Sequence, residues 1–353
     1  MNMRLRTTDT MSRDLPSIAS RFQAIAADIL SAPDLPVHPY FYRYRGAVSD
    51  LARATRFVRY QADLLQLAGA SAQDAEIVDA GCGFGFTLIV YALLGVRRIR
   101  GIEINAEMVS SIEAYLPLLP ADVSSRIEVR HGDVVAMPYE PGSADIVLSV
   151  EAISHYLDVT AFIQEARRVV REGGLLIISD GNNGSNPMVR RRTYEIWDAV
   201  ERGRPGGKVH GHQLGPHYEA VRRQTLDQRF SSLSDETRAE LARRTAGFTE
   251  EQLMVAAREH EQTGALPNST YRRRQVAVAP DGTAMERLFS PTALARTLGR
   301  HGFSARAYGY WGGAGGASSL RTANRVLSSM SPVTIPFAPS FRVIARRTPD
   351  GSR

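Results

Sequence analysis

Apolar and polar positions along this chain fall into blocks whose period changes, and the changes mark its elements. Ile18, Phe22, Ile25 and Ile29 recur at helical spacing and predict an amphipathic helix. The aromatic stretch His38-Pro39-Tyr40-Phe41-Tyr42-Arg43-Tyr44 follows, and a second helix is expected from Leu51 to Leu67. Short apolar runs then alternate with helical ones. Those ending at Asp79, Glu103 and Asp133, together with Asp145 to Val150 and Leu175 to Ser179, read as buried strands. Thr87 to Leu94 is a helix between the first two. Phe162, Ala166, Val169 and Val170 form one face of another, which Gly173-Gly174 is expected to stop. Strands alternating with helices predict an α/β fold.

The pattern changes after Gly181. Helices are expected at Arg190 to Arg202, Tyr218 to Phe230, Asp235 to Thr245 and Thr249 to Glu261, the last with Thr249 as N-cap and glutamates in its first turn. The loop from Arg204 to His217 carries three histidines. Ser290 to Phe303 returns to a short helix, Ala305 to Tyr310 and Phe341 to Ala345 read as strands, and Leu320 to Ser329 as a helix after the glycine-rich turn that Trp311 opens. Four regions result: a helical and aromatic arm (1–50), a half built around a glycine loop (51–180), a helical insertion (181–288), and a return to the core (289–353). The chain shows no internal repeat and no low-complexity tract.

Composition narrows this picture. At 353 residues the chain can bury a large core. A single cysteine gives no disulfide framework and fits a reducing compartment. No apolar run reaches the roughly 18 residues of a membrane span, and residues 1–14 lack the apolar stretch of a secretory signal, so a cytoplasmic location is expected. The net charge is +6, carried almost wholly by arginine, with Lys208 the sole lysine. Arg190-Arg191-Arg192 and Arg272-Arg273-Arg274 are the densest clusters. A solvated surface is the favoured account, with a phosphate or carboxylate on a substrate next. Basic and aromatic residues do not interleave as in a single-strand nucleic-acid groove.

The chemistry lies in Val78-Asp79-Ala80-Gly81-Cys82-Gly83-Phe84-Gly85. Glycine lets the backbone turn sharply and lie flat against a ligand. The following helix offers unpaired N–H groups and a positive dipole end to a carboxylate. A dinucleotide fingerprint needs its third glycine where Phe86 stands, and it lacks an acid at the place of Asp79. The segment instead resembles the first motif of the class I S-adenosylmethionine-dependent methyltransferases, an acid followed by G-x-G-x-G. Later segments resemble that family's motifs in order from Glu76 to Asp180.

The resemblance implies a Rossmann-like, seven-stranded, mostly parallel sheet with an antiparallel last strand and a helical insertion between strands five and six that covers the substrate. It implies S-adenosylmethionine as cofactor, with Asp79, Gly81, Cys82, Gly83 and Gly85 at its amino-acid end. Glu103, about twenty residues on, would take the ribose hydroxyls beside Ile104, and Asp133 with Val134 the adenine. Ser149 and Val150 complete the expected lining. Helix capping stays open as the alternative for Glu103 and Asp133, and Cys82 reads as a small filler.

In this family the loop after strand four faces the acceptor, which directs attention to Glu151, His155 and Tyr156. His155 is a candidate base, with a hydrogen-bonded structural role as its alternative. Ser149-Val150-Glu151-Ala152 departs from the Asn/Asp-Pro-Pro-Tyr/Phe motif of adenine and glutamine enzymes. The nucleophilic cysteine of cytosine-5 enzymes and the glutamate pair of protein arginine enzymes are also missing. The loop looks like that of small-molecule methyltransferases of the ubiquinone-biosynthesis and sterol type. Glu151, Asp180 and Asn182 imitate a catechol-type magnesium site only loosely, and His210, His212 and His217 have no four-ligand zinc pattern, so no metal is expected. Tyr40, Phe41, Tyr42 and Tyr44 either close over the cofactor or simply pack. The expectation is methyl transfer to a small organic molecule, lipid precursor or sugar derivative, with O-methylation favoured. An RNA methyltransferase and a non-catalytic cofactor-binding subunit are the alternatives. The sequence does not fix the oligomeric state.

Overall fold

A computed structural model describes residues 6–32, 35–48, 50–268, 277–280, 285–312 and 318–349. The chain divides into two compact units, the first comprising Met1–Ile153, Asp158–Gly181 and Pro291–Arg353, the second Ser154–Leu157 and Asn182–Ser290.

The first unit is organised by a seven-stranded sheet: β1 Glu76–Ala80, β2 Arg98–Glu103, β3 Ile127–His131, β4 Ala144–Val150, β5 Val170–Asp180, β6 Phe303–Tyr310 and β7 Ser340–Arg347. The spatial order is β6-β7-β5-β4-β1-β2-β3. β1 to β5 pair in parallel, and β7 runs antiparallel to both β5 and β6. Ile77, Val78, Val147 and Leu148 are fully buried, as expected of central parallel strands covered on both faces. The chain order reverses between β1 and β4, a switch point beyond whose carboxyl ends ligands bind in open α/β sheets. The glycine loop, Glu103, Glu151 and Asp180 all lie at those ends.

Helix Arg6–Ser31 packs through Phe22, whose ring stacks on Phe57 at 5.4 Å and meets Phe86 edge-on. Each ring so buried contributes about 1.5–3 kcal/mol. One expectation is corrected here. Helix Val159–Val169 ends before Gly173-Gly174, and β5 has already begun. Pairing with β4 shifts from Ala144↔Val170 to Ile146↔Leu175, so the glycines make a bulge inside a strand. Gly173 has φ +70°, and a Cβ on Gly174 would stand 2.7 Å from the Asp145 carbonyl oxygen.

The second unit has its own helices, Pro187–Arg202, Tyr218–Arg229, Asp235–Arg244 and Glu250–Thr263. Leu226, Phe230, Leu241, Leu253 and Ala257 form its core. Thr249 and Gln252 close a capping box on the last helix. Beside that core the buried Arg222 guanidinium pairs with Glu201 and donates to the Ala242 carbonyl at 3.0 Å. Arg272-Arg273-Arg274 and the glycine-rich run at 313–317 lie outside the described residues. Among the described residues no helix is long and apolar enough to cross a membrane.

Candidate functional site

The glycine loop is held by β2. Gly81 and Cys82 both donate their backbone N–H to the Ile102 carbonyl, at 2.9 and 3.2 Å. Gly81, Gly83 and Gly85 all have φ between +55° and +75°, a region that L side chains rarely adopt. At Gly85 space is limiting as well: a Cβ would sit 2.5 Å from the Tyr115 hydroxyl, which donates to the Phe84 carbonyl at 2.8 Å. Gly85 opens helix Phe86–Leu93, and no side chain caps that helix start. The positive end of that helix therefore stands at the close of the loop.

Two acids flank this turn. Asp79, at the end of β1, is 2% exposed; burial and then the charge of Glu103 push its pKa up to about 7. An ammonium group beside it would reverse that shift. Glu103 ends β2, and its carboxylate accepts from the backbone N–H of Gly83 at 2.9 Å and of Asn105 at 3.0 Å. It is not a helix cap: Asn105 caps helix Ala106–Tyr115 through its own side chain. Asp133 caps no helix either: its Oδ1 accepts from Val135 N at 3.1 Å within the turn that follows β3. Ile104, beside Glu103, is 60% exposed, an unusual state for isoleucine next to a buried strand. Val134 and Ser149 are buried, and Val150 is half-buried at the end of β4. Cys82 is buried, which pushes its thiol pKa up and suits a filler.

The aromatic arm packs. Phe41 is fully buried, 5.6 Å from both the Phe84 and Phe86 rings and 5.9 Å from Tyr115. It supports the glycine loop from behind. Tyr40 is half exposed, and the Tyr44 side chain is outside the described residues.

Beyond β4 the backbone of Glu151 takes φ +52°, an uncommon conformation for a residue with a Cβ. Three contacts hold it there. Its N–H donates to the Ser179 carbonyl at 2.7 Å, Gly181 N donates to Oε2 at 3.0 Å, and the Tyr60 hydroxyl to Oε1 at 3.2 Å. Although Glu151 as a whole is exposed, its carboxyl group is enclosed by these neighbours. Burial, then the charge of Asp180, raise its pKa to about 7. Tyr60 also shares a 2.6 Å hydrogen bond with Ser179 Oγ. Sequence reasoning overlooked Tyr60; the only signal was a polar tip on the inner face of helix Leu51–Ala68.

His155 belongs to the second unit. Its Nδ1 lies 2.6 Å from the Met285 carbonyl oxygen, which can only accept, so Nδ1 carries the proton. Nε2 is left with its lone pair on an exposed ring, the tautomer a proton acceptor needs. Tyr156 is buried, and its carbonyl accepts from Arg287 Nη2 at 2.8 Å.

Other candidate positions have structural partners. His210 pairs with Glu195 at 2.6 Å, and His217 caps helix Tyr218–Arg229, while His212 is exposed on a short ribbon. Asn182 donates to Glu286 at 3.0 Å. Among the described residues no three His, Cys, Asp or Glu side chains gather to hold a metal ion. Arg190, Arg191 and Arg192 donate to the Gly184 carbonyl, the Glu195 carboxylate and the His210 carbonyl.

Residues 78–178 match a protein family described as the methyltransferase domain. A probable S-adenosylmethionine-dependent methyltransferase of Mycolicibacterium smegmatis is 30% identical over 107 residues, 30% of this chain and 38% of that protein. The 2-methyl-6-phytyl-1,4-hydroquinone methyltransferase of Synechocystis is 33% identical over 34% of this chain and 36% of its own length. The 27-O-demethylrifamycin SV methyltransferase of Amycolatopsis mediterranei is 33% identical over 30% and 38%. The chain thus spans little more than a third of the length of these relatives.

Proposed function

We propose that this chain, whose residues 78–178 match the methyltransferase domain, is a class I S-adenosylmethionine-dependent methyltransferase that methylates a small organic molecule, lipid precursor or sugar derivative, with oxygen the favoured acceptor atom. The observation that carries the reading is the pair of acids, Asp79 and Glu103, on either side of a turn of three left-handed glycines. When bound, S-adenosylmethionine supplies an electrophilic methyl group on a sulfonium sulfur. Asp79 would neutralise its ammonium group, and the positive end of the helix that Gly85 opens would attract its carboxylate. Gly81, Cys82 and Gly83 provide backbone without bulk. The remaining lone pairs of Glu103 would accept from the ribose hydroxyls. Ile104, Asp133 and Val134 would border the adenine, and Ser149 and Val150 the floor beside β4.

On the acceptor side, His155 Nε2 is the preferred acceptor of a hydroxyl proton, because Met285 fixes its tautomer. Glu151, raised toward neutrality, is the second candidate. Two of the relatives are named for methylating a hydroquinone and a rifamycin, which supports a small acceptor and, in the second, an oxygen. A cytoplasmic location fits the single, buried Cys82.

Radiolabelled S-adenosylmethionine incubated with the protein and a cell extract tests this, with Glu103→Ala as control. Label in a low-mass or solvent-extractable product is expected. Label released only by ribonuclease, or none despite tight cofactor binding, refutes it.

A further inference from the structure

Away from the glycine loop, the first unit contains a cavity of about 580 Å³ bordered by helices Leu51–Ala68 and Ser318–Ser329 and by strands β6 and β7. That is the size of a small-molecule site, roughly 300–1,000 Å³. Its walls carry three guanidinium groups, Arg306, Arg325 and Arg342, against a single carboxylate, Asp63. Gln66 and Asn324 add neutral hydrogen-bonding groups.

Arg342 is the informative member. It is 5% exposed in the middle of β7, paired with Ser179 on one side and Tyr308 on the other. Its guanidinium carbon lies 3.7 Å from the centre of the Tyr310 ring and 5.0 Å from that of Tyr60. Ring stacking satisfies the faces of a guanidinium, whereas its N–H bonds point outward in its plane. Among the described residues, Nε and Nη2 are buried and meet no acceptor. Both nitrogens are sealed from water, so Arg342 borders the cavity through its other atoms and lends it the charge of the guanidinium. Arg306 projects from the same face of the sheet two residues before Tyr308, over whose ring it lies at 5.2 Å. Arg325 donates to Gln66 at 3.0 Å across the cavity wall.

We propose that this cavity is a second binding site, for a small molecule held through an oxyanion, either carboxylate or phosphate, by Arg342 with Arg306 and Arg325. The planar fork of arginine matches both groups in two-pronged fashion. The proposal does not depend on the methyl-transfer reading, since it uses no residue of the glycine loop and none of the second unit.

Calorimetric titration of the full chain with inorganic phosphate and with citrate tests it, at constant ionic strength and with S-adenosylhomocysteine saturating the other site. Saturable one-to-one binding of either probe is expected, and which one binds identifies the oxyanion. The exposed pair Arg306→Gln/Arg325→Gln, and separately Arg342→Gln, should weaken it at least tenfold while leaving S-adenosylhomocysteine affinity unchanged. The exposed pair keeps the test decisive if the Arg342 variant misfolds. Absence of saturable binding by both probes overturns the proposal, as does equal affinity in the exposed double variant.

Discussion

The Glu103 carboxylate accepts the backbone N–H of Gly83 at 2.9 Å, so the acid that ends β2 fixes the loop that follows β1. The side chain shapes the loop without ligand, and under the proposed function it would also offer its remaining lone pairs to one. Glu103→Gln, close in shape, should weaken S-adenosylmethionine binding by about 10- to 100-fold, the loss of one charge-assisted hydrogen bond or two. Calorimetry on the folded variant reads this directly.

Gly85→Ala should destabilise the protein by about 1–2 kcal/mol from its left-handed backbone alone, and further through the Tyr115 hydroxyl. Tyr115→Phe removes that oxygen. In denaturant unfolding the double variant should therefore lose less than the sum of the two single changes. Strict additivity would show that the hydroxyl is not the obstacle.

Asp79 and Glu151 both titrate near 7 in the folded chain, above their ordinary values. The folded state thus holds protons that the unfolded state has released. Their contribution to stability is full below about pH 4 and is lost as pH rises through about 7. Asp79→Asn should flatten this slope and melt higher than the parent at pH 8. The same change should abolish the rise in S-adenosylmethionine affinity that the parent shows as Asp79 ionises. A melting series from pH 4 to 8, with and without ligand, decides both points.

His155→Gln should lower kcat by about 10²–10⁴ without altering cofactor affinity. If kcat is unchanged, Glu151 becomes the base to test.

Glu201→Ala leaves the Arg222 guanidinium buried without its partner in the second unit. Loss of about 3–5 kcal/mol is expected in chemical denaturation. Replacing both residues with apolar ones of similar volume should recover most of it.

The strands, the glycine turn and the two acids that flank it were legible because local chemistry dictates them. An apolar run, a carboxylate and three alternate glycines need no distant partner to be recognised. The Gly173-Gly174 bulge was misread as a helix stop because its cause is the Asp145 carbonyl on another strand. The tautomer of His155 depends on a carbonyl 130 residues away, and the left-handed turn at Glu151 on Tyr60, 91 residues earlier. Arg342 was legible only as a strand residue, and it is the pairing of β7 with β5 and β6 that buries it. Each miss is a contact between segments that no local pattern announces.

Strand β7 completes the sheet by entering between β5 and β6, and Ser179 and Phe341, which it brings together, are 162 residues apart. On the ribosome, β5 emerges long before its neighbour is made. Throughout synthesis of the intervening helices its outer edge carries unpaired N–H and C=O groups, a ready template for a strand from another nascent chain. The half-made protein is therefore the form most exposed to aggregation, and chaperone demand during translation should track the time spent making residues 182–339.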